Sequence, residues 1–332
     1  MTNAVSLSLG IPVYNQAATI EQTVASALSQ TEPFDEIVVV DNHSTDGTAE
    51  RLASFSGRIR IIQPPQHLSM CDNWNFCVGA MDSDWFSLLS GDDLLKPDFA
   101  KHVRQAATAH PDAVLIRTDW DVIDGEGKIT AVHHQLSVSR ITKPPKTWQE
   151  QLYGPKVSFA AFACRKDAWK KVGGFRRDFD LFHDWMLWLE VAPLGPFIRI
   201  PESLAQYRVM ERPVIDRQRL IPTLADEHRY LLQVLPALPL PQRTILRVRR
   251  RRLKALLSFM SRYLAELESG NVQQQLRDLA VGAGMTETVD AWLRHPRALP
   301  PSTLEELASA AKNTARLLLN SVRAYRRPPD FE

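Results

Sequence analysis

The chain has 332 residues, 44% hydrophobic and 23% charged, with a formal net charge of +2. This composition fills a core and excludes a disordered or low-complexity protein, and the length points to two units rather than one. No stretch approaches the ~20 apolar residues of a membrane span, Met1–Ser6 lacks the basic start of a signal peptide, and three cysteines (Cys71, Cys77, Cys164) are too few for a disulfide framework, which points to a reducing cytoplasm.

In chain order, Val5–Val13 reads as a strand interrupted by Pro12. Ala17–Ser29 has helical spacing, with Ile20, Val24, Ala27 and Leu28 on one face. Glu36–Val40 is a buried-strand signal ending at Asp41, and Asn42–Thr48 is rich in turn and cap residues ahead of a helix at Ala49–Ser54. Arg58–Ile62 is a third strand, Cys71–Met81 a helix, Trp85–Leu89 a fourth strand, Pro97–Ala109 a helix and Ala113–Thr118 a fifth strand. This alternation predicts an α/β fold whose mostly parallel central sheet has flanking helices. The turn after the first strand, Pro12-Val13-Tyr14-Asn15-Gln16, has no Gly-x-Gly-x-x-Gly, so a dinucleotide fingerprint is missing where a dehydrogenase needs one.

Asp124–Lys128 is a hairpin signal, Arg140–Pro155 with its three prolines reads as a loop, and Val157–Cys164 as a strand. Val172–Phe175 is a turn and Asp184–Ala192 a Trp-rich helix. Beyond about residue 215, strand signals nearly stop; Ile245–Leu267, Val272–Ala280 and Ser302–Tyr325 read as helices, the last with Ser302 as N-cap and Glu305 at the capping-box position.

Three motifs carry chemistry. The loop at Pro12–Asn15 can offer backbone groups and an aromatic ring to a flat base, or be an ordinary strand-end turn. Asp41, at a strand tip, can accept a hydrogen bond from a base imide or a ribose hydroxyl, or simply cap its loop; Asp46 is better read as a helix cap. In Ser90-Gly91-Asp92-Asp93, two hard oxygen ligands suit Mg²⁺ or Mn²⁺ bound to phosphate, although a bare Asp-Asp pair is more often a turn of solvated acids.

In order and spacing, these motifs strongly resemble glycosyltransferase family 2, the inverting enzymes with a GT-A fold. Leu9–Asn15, Val39–Thr48, Asn73-Trp74-Asn75, Leu88–Pro97, Gly173–Phe175, His183–Leu189 and Ile200–Arg208 carry the resemblance, which covers roughly residues 5–210. It implies a GT-A catalytic domain over residues 1–214, with a nucleotide-binding half to about residue 120 and an acceptor half beyond it, followed by a basic helical region at 215–332. Pro12, Tyr14, Asn15 and Asp41 would cradle the nucleoside, with Asn73 close by. Asp93 would be the direct metal ligand, and Asp92 would bind the ribose or the metal's water shell. Asp184 falls on the second acid of the family's Glu-Asp pair, the general base that takes the acceptor proton during inverting transfer; from local sequence alone it is equally an N-cap. His183, Trp185 and Arg208 would lie on the acceptor side, whereas the spacing of Trp188 fits core packing.

The chain departs from the family pattern where Ser90 replaces the leading acid, His183 replaces the Glu before the base and Met210 stands where a His often lies. No Gln-x-x-Arg-Trp follows, which argues against a processive synthase. The resemblance implies a metal-dependent transferase moving one sugar from a nucleotide-diphosphate sugar, UDP-sugar favoured, to a hydroxyl of a sugar or lipid-linked saccharide during surface polysaccharide or glycolipid assembly. The alternatives are a non-catalytic nucleotide-sugar-binding protein of the same fold and a nucleotidyltransferase.

Charge is unevenly spread. Residues 1–210 carry 20 Lys+Arg against 25 Asp+Glu, whereas residues 211–332 carry 20 against 13. The run Arg247–Met260 combines this positive charge with apolar residues at helical spacing. It reads either as a helix docking on anionic lipid at the inner face of the membrane or as a solvated helix packed on protein. Without interleaved aromatics it does not read as a nucleic-acid site.

Overall fold

In the computed structural model, the described residues are 5–134, 140–209, 220–260 and 270–294. The chain divides into two units, Met1–Glu211 and Arg212–Glu332. The first unit opens with β1 (Leu7–Val13), α1 (Ile20–Leu28), β2 (Glu36–Asp41), α2 (Thr48–Ala53), β3 (Arg60–Ile62), α3 (Met70–Gly79) and β4 (Trp85–Leu88). These strands pair in parallel in the order β3-β2-β1-β4. Both faces of β1 and β2 are covered, so their sequences are almost continuously apolar instead of alternating, as parallel strands between helices require.

The second half of the sheet is mixed. It contains β5 (Leu94–Leu95), α4 (Phe99–Ala109), β6 (Leu115–Ile123), β7 (Ile129–His133), β8 (Ile141–Thr142), α5 (Lys146–Gln151), β9 (Phe162–Arg165), α6 (Lys166–Lys171), α7 (His183–Val191) and β10 (Phe197–Arg208). Strand β9 is antiparallel to both β4 and β6, while β6 and β10 run parallel. The fifth strand therefore extends past Thr118 to Ile123 and turns through Asp124–Lys128 into β7, whose residues are all exposed.

Two readings of this region change, and one strand appears where none was read. Arg140–Pro155 contains β8 and α5: Pro145 sits at the N-cap of α5, where a missing N–H costs nothing, so the prolines begin a helix instead of excluding one. The strand expected at Val157–Cys164 is confined to Phe162–Arg165, because Ala161 N donates to Ser158 O (3.0 Å) in a turn. The twelve-residue β10 is the longest strand; its register against β6 shifts between Ile200 and Ala205, around Pro201 and Glu202, which masks it in the sequence.

Buried charge holds the β6–β10 region together. Arg199 makes a two-pronged pair with Asp119 (2.9 and 2.6 Å), and Lys96 and Ser203 both reach Asp121 (2.6 Å each). Such pairs gain from geometry only because both partners are satisfied.

The second unit contains α8 (Leu220–Arg229), which continues through a π-helical turn (Tyr230–Val234) into α9 (Leu235–Ala237), then α10 (Gln242–Met260), α11 (Gly270–Ala283) and α12 (Thr286–Arg294). Tyr230, Leu235, Val248, Leu253, Leu276, Val289 and Trp292 are buried within it. Part of the basic run is structural. Arg249 donates to Leu231 O and Gly282 O (2.9 Å each), Arg250 donates to Ala283 O (3.1 Å), and Arg252 pairs with Glu227. Two of these arginines thus satisfy the carbonyls left open at the end of α11. The predicted helix at Ser302–Tyr325 with its Ser302 and Glu305 cap, the end of Ile245–Leu267 and position Met210 lie outside the described residues. No helix among the described residues is long and apolar enough to cross a membrane.

Candidate active site

The ends of three parallel strands meet at one edge. Val13 at the end of β1 lies opposite Asp41 at the end of β2, Pro12 lies opposite Val40, and Leu89 N donates to Gly10 O (2.9 Å), which ties the end of β4 to β1. This carboxyl edge is where open α/β sheets bind ligands. Gly10 is required there: a Cβ would lie 2.5 Å from Cys77 Sγ and 2.7 Å from Leu88 Cδ2.

The loop after β1 is fastened to the loop after β2. Asn15, at φ 53°, donates its N–H to Ser44 Oγ (3.0 Å), and its Oδ1 accepts from Thr45 N (2.8 Å). Asn15 therefore braces the cradle. Asp46 precedes Gly47, the N-cap residue of α2, and its Oδ1 accepts from Thr48 N (3.1 Å) and Thr48 Oγ1 (2.6 Å). Asp41 is buried: Oδ1 accepts from Ser44 N (3.0 Å) and Oδ2 from Gln63 Nε2 (3.1 Å). Tyr14 stands 47% exposed with its ring 4.7 Å from that of His67. His67 Nδ1 lies 3.0 Å from Asn42 O, and because a carbonyl only accepts, Nδ1 carries the proton. On α3, Asn73 is buried and its Oδ1 has no hydrogen-bond partner among the described residues. The result is an exposed tyrosine ring, with the imidazole of His67 tilted 60° against it, beside oriented acceptors, an arrangement suited to a base and ribose.

The acid turn packs against this cradle. Thr19 Oγ1 donates to Gly91 O (2.8 Å) and Thr23 Oγ1 to Asp93 O (2.9 Å), and a Cβ on Gly91 would lie 3.1 Å from Val13 Cγ2. Asp92 is half-buried, while Asp93 is 1% exposed, with Oδ1 accepting from Arg208 N (2.8 Å). Burial, then the neighbouring Asp92 charge, hold the Asp93 carboxyl well above its usual range. Among the described residues no group of three or more His, Cys, Asp or Glu side chains converges as a metal cage. The donor set of two adjacent carboxylates instead fits a hard divalent cation that takes its remaining ligands from phosphate and water.

Asp184 lies in the first turn of α7, half-buried. Its Oδ1 accepts from Trp185 N (2.6 Å), and burial pushes its carboxyl up to about 6. His183 is buried and edge-on to Trp74 at 5.8 Å, with Nδ1 2.8 Å from Arg176 O. It packs against α3 instead of presenting its ring to an acceptor. Trp185 is a second correction: it is 1% exposed and its indole N–H donates to Gln151 O (2.7 Å), so its spacing reflects core packing, as for Trp188 against Phe162. Arg208 is a third, its guanidinium being occupied by internal carbonyls. The structure thus gathers Pro12, Tyr14, Asn15, Asp41, Asp92 and Asp93 at one sheet edge, and joins the helix of Asn73 to α7, which carries Asp184, through the Trp74–His183 contact.

Two contributors have no local signal in the sequence. Gln63 holds Asp41, and Asn75 clamps the Gly173–Phe175 turn to α3 by accepting from Phe175 N (2.8 Å) and donating to Phe175 O (2.9 Å). Asn75 falls within a motif already singled out, but nothing in its neighbourhood predicts a partner a hundred residues away.

A sequence model of the family described as "Glycosyl transferase family 2" matches residues 8–172. An uncharacterized glycosyltransferase of Haemophilus influenzae is 23% identical over 217 residues, which cover 63% of this chain and 67% of the relative. The succinoglycan biosynthesis protein ExoO of Rhizobium meliloti is 27% identical over 132 residues, covering 40% of this chain and 38% of that protein. Among solved structures, S. aureus TarS 1–349 in complex with UDP-GlcNAc is similar with a TM-score of 0.56 at 14% identity, covering 87% of this chain and 92% of the other. The mannosyltransferase PcManGT from Pyrobaculum calidifontis, in complex with GDP-Man and Mn²⁺, gives a TM-score of 0.57 at 18% identity, covering 94% and 88%. At these identities the two structures speak for the fold, a GT-A-like α/β domain. The family match, which runs over the strands and turns carrying Tyr14, Asp41, Asp92 and Asp93, together with the glycosyltransferase relative, identifies the chain as a member of glycosyltransferase family 2.

Proposed function

We propose that the protein transfers a single sugar from a nucleotide-diphosphate sugar, UDP-sugar first among donors, to an acceptor hydroxyl with inversion and with the help of Mn²⁺ or Mg²⁺. The observation that carries this reading is the junction of the Asp41–Tyr14 cradle with the Asp92–Asp93 turn at the ends of three adjacent parallel strands. TarS with UDP-GlcNAc and PcManGT with GDP-Man and Mn²⁺ support a nucleotide-sugar donor and a divalent cation, and ExoO supports polysaccharide assembly as the setting.

In this mechanism, Tyr14 stacks on the base and Asp41 accepts from its imide, with Asn73 close by. Asp93 is the direct ligand of the cation, and Asp92 binds the ribose or the cation's water shell. The cation's contribution is to neutralise charge on the departing diphosphate. The acceptor hydroxyl attacks the anomeric carbon from the face opposite that diphosphate. Asp184 receives its proton at Oδ2, because Oδ1 is committed to Trp185 N. The acceptor is a sugar or a lipid-linked saccharide on the cytoplasmic side. Peripheral attachment to an anionic membrane is a separate proposal, supported by exposed Arg243 and Arg247 one turn apart on α10 and tested by sedimentation with anionic vesicles.

Calorimetric titration with UDP, GDP and dTDP, with and without Mn²⁺, followed by a transfer assay with the preferred donor, tests the reading. Cation-dependent diphosphate binding and transfer that disappears in both Asp93→Asn and Asp184→Asn are expected. Full transfer by both variants refutes it.

A further inference from the structure

Arg208, the last residue of β10, is 3% exposed. Its backbone N–H donates to Asp93 Oδ1 (2.8 Å), Nε to Asp92 O (2.7 Å), Nη1 to Asp124 O (3.1 Å) and Gly125 O (2.9 Å), and Nη2 to Gln22 Oε1 (2.9 Å). The planar fork of a guanidinium is thereby spread over three segments that are remote in sequence. Among the described residues all four of its side-chain acceptors are neutral, three backbone carbonyls and one amide, and no carboxylate is bonded to its guanidinium. A buried cation in a neutral cage costs free energy unless a nearby charge benefits, and the charge that Arg208 favours is that of Asp93.

The surroundings are built to hold it. The Asp124 hairpin is closed by Asp124 Oδ1 accepting from Glu126 N (3.0 Å) and Lys128 N (2.9 Å). Gly127 adopts φ 89°, and a Cβ there would lie 3.7 Å from Arg208 Nη1. On the other side, Thr19 and Thr23 of α1 bond the same acid turn, and Gln22 lies between them in sequence.

We infer that Arg208 is a positioning residue: it locks the Asp92–Asp93 turn between α1, the Asp124 hairpin and β10, and so sets the affinity of the acid pair for a divalent cation carrying a nucleoside diphosphate. This deepens the proposed function and rests on its metal reading. Lysine cannot replace the arginine, because a single ammonium cannot span Asp92 O, the hairpin carbonyls and Gln22 together.

The test compares wild type, Arg208→Lys and Gln22→Ala by calorimetry with two probes: UDP or GDP with Mn²⁺, and the corresponding nucleoside without metal, with thermal unfolding as a check on folding. Arg208→Lys is expected to weaken Mn²⁺-dependent diphosphate binding by about tenfold or more while leaving nucleoside binding at Tyr14 and Asp41 unchanged. Gln22→Ala, which removes one of the anchoring bonds, is expected to weaken it by about two- to fivefold. Unchanged Mn²⁺-dependent affinity in a folded Arg208→Lys overturns the inference, as does a parallel loss of nucleoside and diphosphate binding, which would mark a general structural role. If Arg208→Lys does not fold, unchanged affinity in Gln22→Ala overturns it. Absence of any cation effect in wild type would instead refute the metal reading beneath it.

Discussion

Asp184→Asn separates catalysis from stability because the two effects have opposite signs. Burial raises this carboxyl from an ordinary 3.8 to about 6, and the Trp185 N–H offsets only part of that cost. A carboxylate whose folded pKa is raised destabilises the fold when ionised. The penalty is absent below pH 3.8, grows through the interval to about 6 and is constant above it. A shift of about two units corresponds to ~3 kcal/mol at full burial. Asp184 is half-buried, and solvent screening reduces this to ~1–2 kcal/mol. Asparagine has nearly the same shape, can still accept the Trp185 N–H and carries no charge. Asp184→Asn is therefore expected to raise the melting temperature by roughly 2–8 °C at pH 8 and to leave it unchanged near pH 3.5, while transfer falls by about 10²–10⁴-fold. Wild-type kcat/KM should fall on the acid side with a midpoint at about 6. Melting curves from pH 3.5 to 8 and initial-rate assays from pH 5 to 8 measure both effects. A variant that is less stable at pH 8, or a wild-type rate flat across pH 6, refutes the reasoning.

Further outcomes concern the scaffold. Gly10→Ala places a Cβ 2.5 Å from Cys77 Sγ, 2.7 Å from Leu88 Cδ2 and 2.9 Å from Met81 Cε; overpacking of this kind costs about 1–3 kcal/mol in urea unfolding. Asn75→Ala removes both bonds to Phe175 and leaves its N–H unpaired in a partly buried turn, a loss of about 1–3 kcal/mol in the same measurement. Cys71, Cys77 and Cys164 are all buried, and burial raises each thiol, Cys71 to about 11. A thiol reagent at pH 8 should therefore react with none of them before unfolding and with all three in denaturant.

The parts of the site legible in the sequence are those written locally. The runs that become β1, β2 and β4 are apolar because helices cover both their faces, and each ends in turn residues that place Tyr14, Asp41 and Asp93 at the sheet edge. The parts that were illegible depend on distant partners. Trp185 and Arg208 sit in motifs that suggested contact with substrate, but the acceptors that claim them, Gln151 O in one case and Asp92, Asp124, Gly125 and Gln22 in the other, come together only in the folded chain. Strand β10 was obscured for a different reason: Pro201 and Glu202 interrupt the apolar pattern where its register shifts.

The two central acids owe their raised proton affinity to different causes, and the difference fits their proposed roles. Asp93 is raised by burial and by the adjacent Asp92, with Arg208 acting against them. The second of these causes is a like-charge repulsion, which a cation bound to the pair would relieve; the penalty on Asp93 is thus one that ligand binding can repay. For Asp184 the upward cause is burial, and no neighbouring carboxylate contributes. A cation at the acid pair leaves that cause in place, so Asp184 keeps an affinity for protons close to neutral pH, as a general base needs. If the two roles were exchanged, the like-charge repulsion at the pair would have no cation to relieve it, and the lone acid would lack the second carboxylate needed to hold the metal.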